Sequence, residues 1–212
     1  MNRYKDLESI LLTHKESGFA AWQTAYMRHK FSFFGVRQPV RKKIQRPFLL
    51  SCSKKDISTL WKKDQREYQY IAMDVLIRSH LNKGDLDLLE WLITTKSWWD
   101  SVDVIASNIV GKFFQTFPDL LQRTQTWVSH ESVWLRRSSL IFQLRYKEKT
   151  DATRLFSFCK FLSKDADPFI QRAIGWALRE YSKRAPSQVE SFLKTSHFSQ
   201  LSVREASRYI PS

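Results

Sequence analysis

Apolar residues recur at three- and four-residue spacings over Leu7 to Leu12, Tyr68 to Ile77, Val133 to Leu144 and Phe169 to Leu178. That is the period of a helix burying one face, whereas strand-like alternation is scarce. Turn formers fall between the runs, at Gly35 to Pro39, Asn82-Lys83-Gly84-Asp85, Phe117-Pro118-Asp119, Asp165 to Pro168 and Ala185-Pro186-Ser187. The predicted order is helix, short break, helix, an all-α chain. No linker rich in Pro, Gly or Ser divides the 212 residues, so one domain over residues 1–212 is expected.

Sliding the chain on itself uncovers a repeat. Trp99, Trp134 and Phe169 are spaced 35 residues apart, and each opens a helical stretch: WDSVDVIASNIVG, WLRRSSLIFQLRY and FIQRAIGWALREY. An earlier copy begins near Tyr68, about four residues short of the period. Helical units of this length stack into a curved solenoid, as in HEAT-type arrays. Counted from the opening aromatic, Trp99 stands at 0, Arg137 at +3, Asp103 at +4, Trp176 at +7 and Arg179 at +10. These offsets share one helical face, so stacked repeats would bring the five residues onto one stripe along the concave surface. The tryptophans alone would suit a core. Asp103 and Arg137 suit one only if they answer each other in a salt bridge.

Charge changes the picture. With 35 Lys and Arg against 21 Asp and Glu, the chain carries +14 at pH 7, which suits a polyanion such as nucleic acid. Arg37, Arg41, Lys42, Lys43 and Arg46 cluster around Pro39, and Lys183, Arg184, Arg204 and Arg208 continue the excess. No stretch approaches ~18 apolar residues, so no membrane partner is expected. The opening MNRYKDLESILLTHKESG breaks any apolar run with Lys5, Asp6 and Glu8, and a cytoplasmic location is expected.

Other chemistries lack their signatures. Cys52 and Cys159 stand apart and the five histidines are scattered, so neither metal nor redox chemistry is expected. Five separated glycines give no phosphate loop, and no cofactor is expected. What remains is Trp98-Trp99-Asp100-Ser101-Val102-Asp103, two indoles and two carboxylates within little more than a helical turn of a basic chain. Trp99 and Asp103 are four residues apart and face the same way. Indole faces and carboxylates both attract positive charge.

Three blocks, TKSWWDSVD (95 to 103), WLRRSSLIFQLRYKEKTD (134 to 151) and IQRAIGWALREYSK (170 to 183), resemble those of the AlkD-type DNA alkylation repair proteins, the HEAT-like-repeat DNA glycosylases. YMRHKFSFFGVRQPVRKK (26 to 43) is similar as well. The resemblance implies an all-helical HEAT-like solenoid with a concave basic face that cradles double-stranded DNA containing alkylated bases; a concave surface of duplex size suggests a monomer. It implies cleavage of the N-glycosidic bond of cationic N3-alkyladenine and N7-alkylguanine without a base-binding pocket. Asp103 would be the catalytic carboxylate, Trp99 and Trp176 the aromatics against the backbone at the lesion, and Arg137 and Arg179 phosphate contacts. Tyr26 would face the DNA. The other reading is a non-catalytic HEAT-like paralogue that binds nucleic acid or protein.

Overall fold

The computed structural model describes residues 3–195 and 197–210. As the periodicity predicts, the regular structure of the described residues is helical, apart from one isolated parallel bridge between Ser32 and Gln65, which fits a helical-repeat fold. They fall into two compact units, residues 1–80 and 81–212.

The first unit holds helices Arg3–Thr13, Ser17–Tyr26, Gln38–Ile44, Arg46–Ser51, Asp56–Lys62 and Arg66–Arg78. The last is its axis, burying apolar Ile71, Ala72, Val75 and Leu76 together with polar Arg66, Glu67 and Gln69. Two of these polar groups act at chain breaks. Gln69 Nε2 donates to the carbonyls of Trp61 and Lys63, both at 2.8 Å, where the preceding helix ends. The Glu67 carboxylate accepts three backbone N–H groups, from Phe34 (3.1 Å), Gly35 (2.9 Å) and Val36 (3.1 Å), and so clamps the Gly35 to Pro39 break. Gly35 has φ +83°, and a Cβ there would lie 2.2 Å from the Glu16 carbonyl, so only glycine fits.

The second unit opens with a capping box at Asn82, whose side chain accepts from Gly84 N while Asp85 accepts from Asn82 N. Leu86–Thr94 follows, then a continuous helix over residues 99–116 whose middle, Ile105–Val110, widens into a π segment. The later helices are Arg123–Val128, Val133–Ile141, Ala152–Phe161, Pro168–Ser182, Pro186–Thr195 and Gln200–Ala206. Asp167 caps Pro168–Ser182 through Phe169 N at 2.7 Å, with Pro168 in the first turn. The predicted repeat takes physical form in the caps: Trp98, Ser132 and Asp167 begin successive repeat helices, at intervals of 34 and 35 residues.

Among the described residues no helix is long and apolar enough to cross a membrane.

Candidate active site

Trp98 is extended (φ −159°, ψ 162°) and Trp99 begins the helix, so adjacent indoles part company. The Trp98 ring turns inward onto Trp134 (centroids 5.6 Å) and Phe169 (5.2 Å), which also touch each other at 5.0 Å. An aromatic triangle thus ties the first turns of three repeat helices together. Trp99 stays half-buried, one turn before Asp103.

Arg137 sits where Val133–Ile141 packs beside both other repeat helices. Its Nε donates to Asp103 Oδ1 at 2.7 Å and its Nη2 to Oδ2 at 2.8 Å, a bidentate ion pair. Nη1 donates to the Phe169 carbonyl at 2.5 Å. The Arg137 side chain is 6% exposed and that of Asp103 18%, so the guanidinium is the buried post and the carboxylate the face that solvent reaches. A fork of this kind fixes the carboxylate plane as well as its position. Each Asp103 oxygen has capacity left for water or an approaching cation. Ser107 Oγ donates to the Asp103 carbonyl at 2.7 Å, where the helix passes into the π segment. Such segments are frequent at functional sites.

Trp176 lies two turns beyond Phe169 on the same helix, half-buried against the core. Arg179 pairs with Glu205 at 2.7 Å. Behind Trp176, a Cβ on Gly175 would meet Glu205 Cβ at 2.5 Å and the Ser202 carbonyl at 2.9 Å, so Gln200–Ala206 crosses this helix in close contact.

In the first unit Arg41, expected among the phosphate contacts, is buried and spends its guanidinium on Asp74 (3.1 Å) and Gln45 (2.9 Å). Lys42 also reaches Asp74 from an exposed position, and Lys43 and Arg46 are exposed. Arg37 pairs with Glu16 at 3.0 Å and lies over the Phe19 ring. Tyr26 is exposed and stacked on Trp22.

Sequence reasoning brought Asp103 and Arg137 to one stripe, and the structure joins them in the ion pair that would account for both charges. It missed the Phe169 carbonyl, Asp74 and Glu205 as partners of arginines; acidic residues so distant in sequence carry no local signal. Trp98 was visible only as half of a pair.

The model of the family described as DNA alkylation repair enzyme matches residues 7–210. The chain belongs to the DNA alkylation repair enzyme family. Among solved structures it is similar to a predicted DNA alkylation repair enzyme from Enterococcus faecalis, with a TM-score of 0.85 and 31% identity over 94% of this chain and 98% of that one. No curated protein matches it. The resemblance carried by TKSWWDSVD and the later blocks is therefore family membership. For an alkylation repair enzyme the substrate is DNA, and the described residues include no group of three His, Cys, Asp or Glu able to hold a metal ion.

Proposed function

We propose that this enzyme is a DNA glycosylase that hydrolyses the N-glycosidic bond of cationic alkylated purines, N3-alkyladenine and N7-alkylguanine, in duplex DNA. The observation that carries it is the mostly buried but solvent-reached Asp103 carboxylate, held in plane by a buried arginine and one turn from the Trp99 indole.

The chemistry follows from charge. An N-alkylated purine is already positive, so it leaves without a proton from the enzyme. As the C1′–N bond breaks its electron pair departs with the purine, which becomes neutral, and positive charge moves to the deoxyribose. Asp103 stabilises that oxocarbenium-like sugar and orients the water whose oxygen bonds to C1′. The water's proton passes to the carboxylate and on to solvent. Trp99 and Trp176 add cation–π attraction of ~1–2 kcal/mol each as the charge develops. Arg137 holds Asp103 in place, and the two N–H groups it has left are suited to a flanking phosphate. The damaged base is not drawn into a protein pocket, since selectivity rests on its charge. Tyr26, Arg37, Lys42, Lys43 and Arg179 contact the DNA, with Arg41 setting the Asp74 anchor beneath Lys42.

One observation favours a second reading. Asp103 and Arg137 answer each other's charge, which gives the carboxylate a structural purpose and fits a binding protein that excises nothing. Duplex DNA carrying a single N7-methylguanine or N3-methyladenine separates the two. A glycosylase releases free base and leaves an abasic site, whereas a folded protein that binds this DNA and releases neither base is the binding scaffold.

A further inference from the structure

In the second helix, which begins four residues after the first ends, the chain spends aromatic side chains on solvent. The Ser17–Tyr26 helix buries none of its residues, yet Phe19, Trp22 and Tyr26 lie on one face. Trp22 is 57% exposed and Tyr26 55%. The three rings form a parallel column: Phe19 to Trp22 has centroids 5.6 Å apart at 9°, and Trp22 to Tyr26 5.2 Å apart at 10°. Arg37 lies 4.5 Å from the Phe19 centroid and closes that end with a cation.

Beyond the other end the backbone turns sharply. The helix stops in a Schellman turn, His29 N donating to Thr24 O at 2.8 Å and Arg28 N to Ala25 O at 2.9 Å. Glycine normally occupies the left-handed position of that turn; here Arg28 (φ 54°) and His29 (φ 56°) are both left-handed. Two such residues in succession make a strained turn directly after Tyr26, with exposed Arg28 on it. From Tyr26 to Arg46 the chain has seven Lys and Arg and no Asp or Glu.

We infer that the Phe19–Trp22–Tyr26 column is a stacking platform for unpaired nucleobases, a second nucleic-acid surface that takes single-stranded DNA. Aromatic columns within a positive field are how proteins hold single strands without reading sequence, because every base has a π face. A duplex covers those faces with its own neighbours, so the platform discriminates strand from duplex. Partner protein is the poorer fit, since the segment that follows the rings carries exposed Arg28, Lys30, Lys43 and Arg46, while Glu16 beside Phe19 is matched by Arg37. The platform lies wholly within residues 1–80; it shares Tyr26 and Arg37 with the proposed duplex contacts, and Phe19 and Trp22 belong to it alone.

The test is anisotropy titration of the full chain with a short oligothymidylate and with undamaged duplex of equal length, at matched salt, for wild type, Trp22→Leu and Trp22→Phe. Leucine keeps apolar area and loses the π face. The expected result is about tenfold weaker oligothymidylate binding for Trp22→Leu, near wild-type binding for Trp22→Phe, and duplex binding unchanged in both. The Asp103→Asn protein binds oligothymidylate like wild type, which keeps this outcome separate from that of the excision reading. Equal loss on strand and duplex, or no loss on the strand, overturns the proposal.

Discussion

Asp103 and Arg137 are 34 residues apart in sequence and meet fork to fork, with both carboxylate oxygens engaged and the guanidinium steadied from behind by the Phe169 carbonyl. Three repeat helices contribute one group each. The register of the repeats is thereby converted into the orientation of a single carboxylate.

Removing the arginine leaves Asp103 with no counter-charge in a largely buried setting. Arg137→Ala should cost about 3 kcal/mol of stability, and Asp103→Asn a comparable amount, because it leaves the more buried guanidinium without its counter-charge and turns an amide NH₂ toward one of its donors. Urea unfolding followed by circular dichroism measures both. Small losses in both would mean the pair does not organise the repeat helices.

Much of this was legible beforehand. The Tyr68 to Ile77 run lies inside Arg66–Arg78, and that of Phe169 to Leu178 inside Pro168–Ser182, because one-sided apolar periodicity is a direct consequence of packing one face. Pro118, Pro168 and Pro186 each fall in the first turn or at the start of an element, as their missing N–H dictates. The stripe of Asp103 and Arg137 followed from a 35-residue period. The one-residue shift between the first two caps did not, and neither did the π segment after Asp103, since both depend on how neighbouring helices pack. Arg41 and Lys42 look alike in sequence; only the position of Asp74 makes one a buried anchor and the other a surface cation.

Glu67 should be irreplaceable by its amide. Its two oxygens receive three backbone donors, while glutamine offers one oxygen and turns an NH₂ group toward N–H groups. Glu67→Gln should lose about 2–3 kcal/mol and expose the Phe34–Val36 backbone to hydrogen exchange. Unchanged protection of those amides would show the clamp to be dispensable.

Gly175 sets how closely the last helix approaches the one that carries Trp176. The Glu205 Cβ and Ser202 carbonyl belong to the backbone neighbourhood and cannot rotate away, so Gly175→Ala should cost about 1–3 kcal/mol. It should also part Glu205 from Arg179. A melting temperature equal to wild type would contradict this crossing.

Two carboxylates tie stability to acid. Burial alone would push Asp74 up, but hydrogen bonds from Lys42 and Gln45 and the charge of Arg41 outweigh it and hold the group below its ordinary value. Burial likewise opposes, and the Arg123 and Trp127 hydrogen bonds overcome it, at Glu90. A depressed folded value contributes stability above the unfolded carboxylate range, near pH 4, that is lost as pH falls through the folded value. Urea midpoints should therefore be flat near neutrality and fall below about pH 4, with a shallower acid slope in Asp74→Asn and Glu90→Gln. Parallel slopes in wild type and variants would remove these groups from the account.

The most direct measurement is single-turnover release of N7-methylguanine from duplex DNA by wild type and Asp103→Asn at matched salt, with affinity for the same DNA measured alongside. The account predicts release by wild type, a fall of about 100-fold or more in the variant, and DNA binding that is equal or tighter once a negative charge beside phosphate is gone. Release at the same rate by both proteins would contradict it, leaving Asp103 as the structural partner of Arg137 alone.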